Sequence, residues 1–203
     1  MKEVNLYLPI EIIKAHGAGR GGAALVDYKP DILAEGLEVV FCGINPATTA
    51  AVAGHNFSNG SNRFWTALHL AGFTDRHLKP QEERHLLIYR CGITAVVDRP
   101  TRRAKEITSA EFAAAQPAFE AKIRRYAPRS IAFLGKRAVS AMLGQPQLPW
   151  GRLPDEFAGT TAWILPNPSG LNRSFTLDAL VTAYAELHRA LRANGEMRTP
   201  TVP

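Results

Sequence analysis

Cysteine is scarce in this chain: its 203 residues include two, Cys42 and Cys91, each inside an apolar stretch. Two thiols cannot supply the four ligands of an iron–sulfur cluster or a structural zinc site. No H-E-x-x-H pattern makes up the shortfall, and the six histidines are scattered. No residue is therefore assigned to a metal, and no cofactor is expected. Long apolar runs are missing too: none approaches the roughly 18 residues of a membrane span. The N-terminus shows no signal-peptide pattern. These absences predict a protein of the reducing cytoplasm, off the membrane, with both thiols buried and free. Acidic residues are also in deficit, 18 Asp+Glu against 24 Lys+Arg, giving a net charge of +6. That balance favours an anionic partner, nucleic acid or a membrane surface. Four cations and no acid fall in RPTRRAK, from Arg99 to Lys105, so Arg99, Arg102, Arg103 and Lys105 are candidate phosphate contacts. The alternative for such a run is a solvated face.

What is present reads as one soluble domain. Hydrophobic residues make up 46% of the chain, and a chain of this length can bury roughly 70% of its unfolded surface. Residues 1–30, with GAGRGG at Gly17–Gly22, read as a partly flexible N-terminal arm. Residues 31–194 read as the domain, and 195–203 as a loose tail. Gly17, Gly19 and Gly22 match G-x-G-x-x-G, but no helix of useful length follows before Pro30, so the dinucleotide reading fails. Apolar, β-branched runs predict strands at Leu37–Ile44, Ile93–Val97, Ser130–Leu134 and Thr161–Leu165. Helices are predicted from Asn62 to Ala71, from Pro80 to near Gly92, from Thr108 to about Tyr126 with a break at Pro117, from Lys136 to Leu143, and from about Leu177 to Ala193. Strands alternating with helices predict a three-layer α/β/α sandwich around a central, mostly parallel sheet of about four or five strands. Sites in such sheets form at the carboxyl ends of strands.

Two predicted loops occupy that edge. In the first, Gly43, Ile44, Asn45 and Pro46 leave the first strand. Asn45 offers an acceptor and a donor on a rigid support, so it can hold a water. The alternative is that it caps the next helix. Phe57, among small and polar residues, is either a stacking surface or core. In the second loop, LPNPSGLNR, Leu171 stands between Gly170 and Asn172 with Arg173 next. An apolar side chain at the tip of a stiff polar loop is suited to wedge between bases. The alternative is an inward-folded anchor. Asp98 follows the second apolar run. It is either a carboxylate that activates water, or a helix cap or ion-pair partner of Arg99 or Arg102.

GINP at Gly43–Pro46 together with NPSGLNR at Asn167–Arg173 resembles the paired motifs of the mismatch-specific uracil-DNA glycosylases, the family that contains the thymine-DNA glycosylases. NRFW (Asn62–Trp65), AGFTDR, LKPQE, YRCGIT and VDRPT resemble its bacterial branch, over about Asp31 to Ala193. The resemblance implies that Asn45 positions the hydrolytic water and that Phe57 stacks on an extruded base. It also implies that Leu171 is the inserted wedge, with Gly170 and Asn172 at the guanine left behind. Asn167 stands where more strongly uracil-specific relatives carry a histidine. Ala47 stands where relatives commonly carry glycine, and Ala50 where some carry serine. The implied partner is double-stranded DNA with a mismatched or damaged pyrimidine, bound by a monomer in a bacterial cytosol or nucleoid. A target C1′ hidden in the stack must be extruded at a cost of roughly a few kcal/mol, least at a weakly paired mismatch. The expected activity is excision of uracil, and of thymine or damaged pyrimidines, to leave an abasic site. The motifs hold no amine nucleophile for strand cleavage. The competing readings are a non-catalytic DNA-damage binding module on the same scaffold and a small nucleotide or phosphoester hydrolase.

Overall fold

The computed structural model describes residues 30–193. Its elements run β1 (Val39–Gly43), α1 (Thr48–Ala53), α2 (Phe64–Leu70), β2 (Cys91–Ala95), α3 (Ser109–Tyr126), β3 (Ser130–Leu134), α4 (Lys136–Leu143), β4 (Gly151–Arg152), β5 (Thr161–Leu165) and α5 (Leu177–Ala193). Short 3-10 turns cover Pro80–Leu87 and Ala104–Glu106. The five strands form one sheet in the order β2-β1-β3-β5-β4, parallel except for β4.

Alternation along each strand divides the core into two layers. Val39, Phe41, Ala132, Leu134, Trp163 and Leu165 face α2 and α5, where Phe64, Leu68, Leu180, Tyr184 and Leu187 meet them. Cys42, Ile131, Phe133, Ala162 and Ile164 face α3 and α4, packing on Phe112, Phe119, Ile123, Val139 and Met142. Helices therefore cover both faces of a mostly parallel sheet, as the sequence pattern predicts. Both cysteines are buried and free. No helix of the described residues is long and apolar enough to cross a membrane.

Several boundaries differ from expectation. α3 continues unbroken through Pro117. Pro117 and Ala113, whose carbonyl loses its helical donor, both lie on the exposed face. Water can satisfy that carbonyl, while Phe112 and Phe119 anchor the two halves in the core. The predicted helix after Pro80 is a 3-10 segment that stops at Leu87. Arg90 then takes a left-handed turn, φ 54°, and β2 begins two residues earlier than its apolar run suggests. Neither α1 nor the two-residue β4 was expected. The arm and tail lie outside the described residues, apart from Pro30, the last arm residue.

The chain leaves β1 toward β2 on one side and later places β3 on the other. The β1/β3 boundary is thus the topological switch point, where open α/β sheets form their sites.

Candidate active site

A cleft of about 770 Å³ opens at that switch point. Its floor is the carboxyl end of β1, Gly43–Pro46, and its walls are the segments 56–62, 101–105 and 167–172. A Cβ at Gly43 would meet only Thr94 O, at 3.8 Å. The glycine is therefore not demanded by protein packing, and the space above it belongs to the cleft.

Asn45 does not cap α1, whose N-cap is Ala47 with no side-chain bond. Its Nδ2 donates to Arg99 O at 2.8 Å and to Thr101 Oγ1 at 2.9 Å, with Pro46 O at 3.2 Å. A main-chain carbonyl can only accept, so the amide orientation is fixed. Oδ1, which accepts nothing from the described residues, is its free atom. Thr101 is 4% exposed, and its hydroxyl donates onward to Arg103 O at 3.0 Å. The same segment is tied to α1 through Thr48 N–H to Thr101 O at 2.8 Å.

Phe57 lines the cleft in a left-handed conformation, φ 53°, which costs a non-glycine residue of order 1 kcal/mol. Its ring stacks on buried Phe64, centroids 4.0 Å apart and planes 29° apart. Phe57 is half-buried: it leans on the core and lines the cleft.

Leu171 is 82% exposed at the loop tip, so it is not an inward-folded anchor. The loop beneath it is a closed net. Asn167 Oδ1 accepts from Ser169 N–H at 2.9 Å, Asn167 Nδ2 donates to Leu134 O at 3.1 Å, and Asn172 Nδ2 donates to Asn167 O at 2.9 Å. Asn167 thus lines the cleft while building its wall. A Cβ on Gly170 would sit 2.6 Å from Ser61 O and Oγ, so only glycine lets this loop lie against the segment 59–62.

The sequence reading missed the residue that fastens this wall. Arg63, at the start of α2, donates through Nη1 to Phe175 O at 2.6 Å and through Nη2 to Ser169 O at 3.1 Å and Asn172 O at 3.0 Å. Its own N–H reaches Pro168 O at 3.0 Å. Arg137 does the same for the opposite wall, binding Ala104 O at 2.6 Å and Ile107 O. Arg63 falls in the NRFW segment, but nothing local gives either arginine this role, because their partners are carbonyls remote in sequence.

The basic run divides. Arg102, Arg103 and Lys105 line the cleft. Arg99 does not: its guanidinium grips Glu111 Oε1 through Nη2 at 2.7 Å and Nε at 3.1 Å. The Thr108 main-chain N–H, and next the Arg99 guanidinium, hold the Glu111 carboxyl below the usual range. Arg99 contributes its carbonyl to Asn45, while its guanidinium is paired with Glu111 outside the cleft lining. Asp98 also stays out of the cleft. Its carboxylate is 76% exposed and lies 3.7 Å from Lys122 Nζ, whereas the ion-pair alternative named Arg99 or Arg102. α3 carries Lys122 to this point, and the same ammonium holds Asp31 at 2.9 Å. Arg173 is exposed and outside the cleft lining.

Among the described residues the cleft is lined by amides, hydroxyls, cations, aliphatic groups and the Phe57 ring, with no carboxylate and no imidazole. No group of three or more His, Cys, Asp or Glu side chains could hold a metal there. An open α/β sheet with such a cleft beside an exposed apolar tip fits a protein that handles nucleic acid. The family model for the Uracil DNA glycosylase superfamily matches residues 30–188, and the chain belongs to that superfamily. Its activity class is accordingly DNA glycosylase, a hydrolase of the N-glycosidic bond of uracil-type lesions, and its partner is DNA.

Proposed function

We propose that the protein is a monofunctional, mismatch-specific glycosylase. It acts as a monomer on G·U and G·T pairs in duplex DNA and releases uracil, thymine or a damaged pyrimidine. The observation that carries this reading is the fixed amide of Asn45, with Oδ1 as its one uncommitted atom in a cleft that, among the described residues, holds no carboxylate or imidazole. Asn45 cannot accept a proton as a carboxylate does, so it contributes by holding water on the reacting face. The C1′–N1 bond breaks with its electron pair leaving on the base. The water oxygen then bonds to C1′, and its proton is released. Main-chain N–H groups at Ile44 and Asn45 are suited to the base anion, and the nearby cations Arg102, Arg103 and Lys105 to the phosphates on either side. Leu171 fills the gap left by extrusion, while Gly170, Asn172 and Arg173 meet the widowed guanine. Weak pairing at a mismatch lowers the extrusion cost and supplies the selectivity. Asp98, exposed and paired with Lys122, has no part in this scheme.

A labelled G·U duplex, treated with alkali after incubation, tests the reading. The wild type yields alkali-labile sites, and Asn45→Ala lowers the rate by about 100-fold or more while duplex binding persists. Binding without any excision by the wild type favours a non-catalytic damage-binding module instead. Equal cutting of U opposite A and opposite G refutes mismatch selectivity.

A further inference from the structure

Asn56 is a buried polar residue, 7% exposed, that lines the cleft immediately before the Phe57 ring. Its main-chain N–H donates to Glu83 Oε2 at 2.7 Å. Its side-chain nitrogen donates to Pro30 O at 2.9 Å and to Glu83 Oε2 at 3.0 Å. A main-chain carbonyl and an ionised carboxylate oxygen accept and do not donate, so the nitrogen end of the amide is fixed and both its hydrogens are spent. The opposite end, Oδ1, accepts no hydrogen bond from any described residue. Glu83 belongs to the 3-10 turn pinned by the Lys79 N–H to Glu82 carboxylate bond, so the support is rigid. The result is a preoriented acceptor, nine-tenths buried, at the edge of the cleft where the half-buried aromatic ring lies.

We propose that Asn56 Oδ1 reads the donor edge of the extruded base by accepting the N3–H of uracil or thymine. This inference rests on the glycosylase reading above and deepens it by naming what selects the base. The chemistry follows from ring protonation. N3 of uracil and thymine carries a hydrogen, so it satisfies Oδ1. N3 of cytosine carries a lone pair, so it sets one acceptor against another. Asn56 cannot rotate to offer its N–H groups to cytosine without abandoning both Pro30 and Glu83. A buried group built to bond an N–H discriminates strongly against an analogue without it, because the acceptor is then left dry and unpaired. The acceptor complements the ring of Phe57: stacking holds any flat base, and Oδ1 accepts only those with a donor at N3.

The test compares excision of uracil and of N3-methyluracil, each opposite guanine, by the wild-type chain and two variants. N3-methylation deletes the donor and leaves the C1′–N1 bond in place. For the wild type, uracil is expected to be released at least about 100-fold faster than its N3-methyl analogue. Asn56→Ala is expected to slow uracil release by about 10- to 100-fold and to shrink that preference at least tenfold. Asn56→Ser keeps a hydroxyl donor for the Pro30 carbonyl, supports the loop if the alanine variant folds poorly, and shows the same reduced preference. The ratio does not depend on the active fraction, so a purely structural Asn56 lowers both rates and leaves their ratio intact. An unchanged ratio in both variants, with uracil still released by the wild type, overturns the assignment of Asn56 alone. Failure of the wild type to release uracil at all overturns the glycosylase reading, and this inference falls with it.

Discussion

Replacing Arg63 separates holding the Leu171 loop, the proposed wedge, from merely possessing it. The Arg63→Ala change deletes three well-formed bonds to main-chain carbonyls, at 2.6, 3.0 and 3.1 Å, and a longer Nε contact of 3.4 Å to Pro168 O. Bonds from a charged donor contribute roughly 1.5–3 kcal/mol each when the orphaned acceptor stays buried. Here the loop is part-exposed, so water can rehydrate the carbonyls. About 1 kcal/mol per strong bond is then appropriate, or about 3 kcal/mol in total. The Arg63 main-chain N–H to Pro168 O persists in the variant, so the loop loosens at its tip before its root. Urea unfolding measures the stability loss, and single-turnover excision on duplex and single-stranded uracil DNA measures the functional one. Arg63→Ala is expected to lower duplex excision at least about tenfold and to leave single-strand excision within a few-fold, because a strand without a stack needs no wedge. Arg63→Lys recovers less than half of the stability, since one ammonium cannot span three carbonyls. A loss under about 1 kcal/mol, or equal slowing on both substrates, refutes the loop-fastening account.

Three other outcomes follow from the same structure. Leu171→Ala removes an 82% exposed side chain, so urea unfolding should move by no more than about 0.5 kcal/mol while duplex excision falls; a large stability loss would mean the side chain packs inward. Burial pushes the Cys42 and Cys91 thiols well above the ordinary range. An aromatic disulfide reagent at pH 8 should therefore label neither in the folded chain and both in urea, and rapid native labelling would contradict their burial. His188 is held below its ordinary value, first by burial and then by Arg192. A depressed histidine leaves the native state with fewer bound protons than the unfolded chain. Its contribution is thus complete above the unfolded value near 6.5 and is lost as pH falls through the lower native value. Melting temperature should fall less steeply from pH 7 to 5 in His188→Gln than in the wild type, and parallel curves would sink the idea.

What could be read from the sequence, and what could not, divides by the kind of partner each residue has. Ser130–Leu134 and Thr161–Leu165 are strands because continuous apolar runs must be buried on two faces. α5 is legible from its period and from Thr176, whose hydroxyl accepts the Ala179 N–H at 3.2 Å. α1 left no such mark: its N-cap is an alanine and its start is held by the carbonyl of Thr101, a residue far along the chain. The site follows the same division. Asn45, Phe57 and Leu171 stand out because each breaks its local pattern at a strand end or loop tip. Arg63, Thr101 and Asn56 look ordinary because their roles arise from distant main-chain carbonyls and one distant carboxylate. The basic run makes the distinction sharpest. From charge alone Arg99 and Arg102 are equivalent, yet Glu111 at the start of α3 captures the first and leaves the second at the cleft. Which cations remain at the cleft is therefore set by where the acids fold to, and a count of net charge carries no information about that.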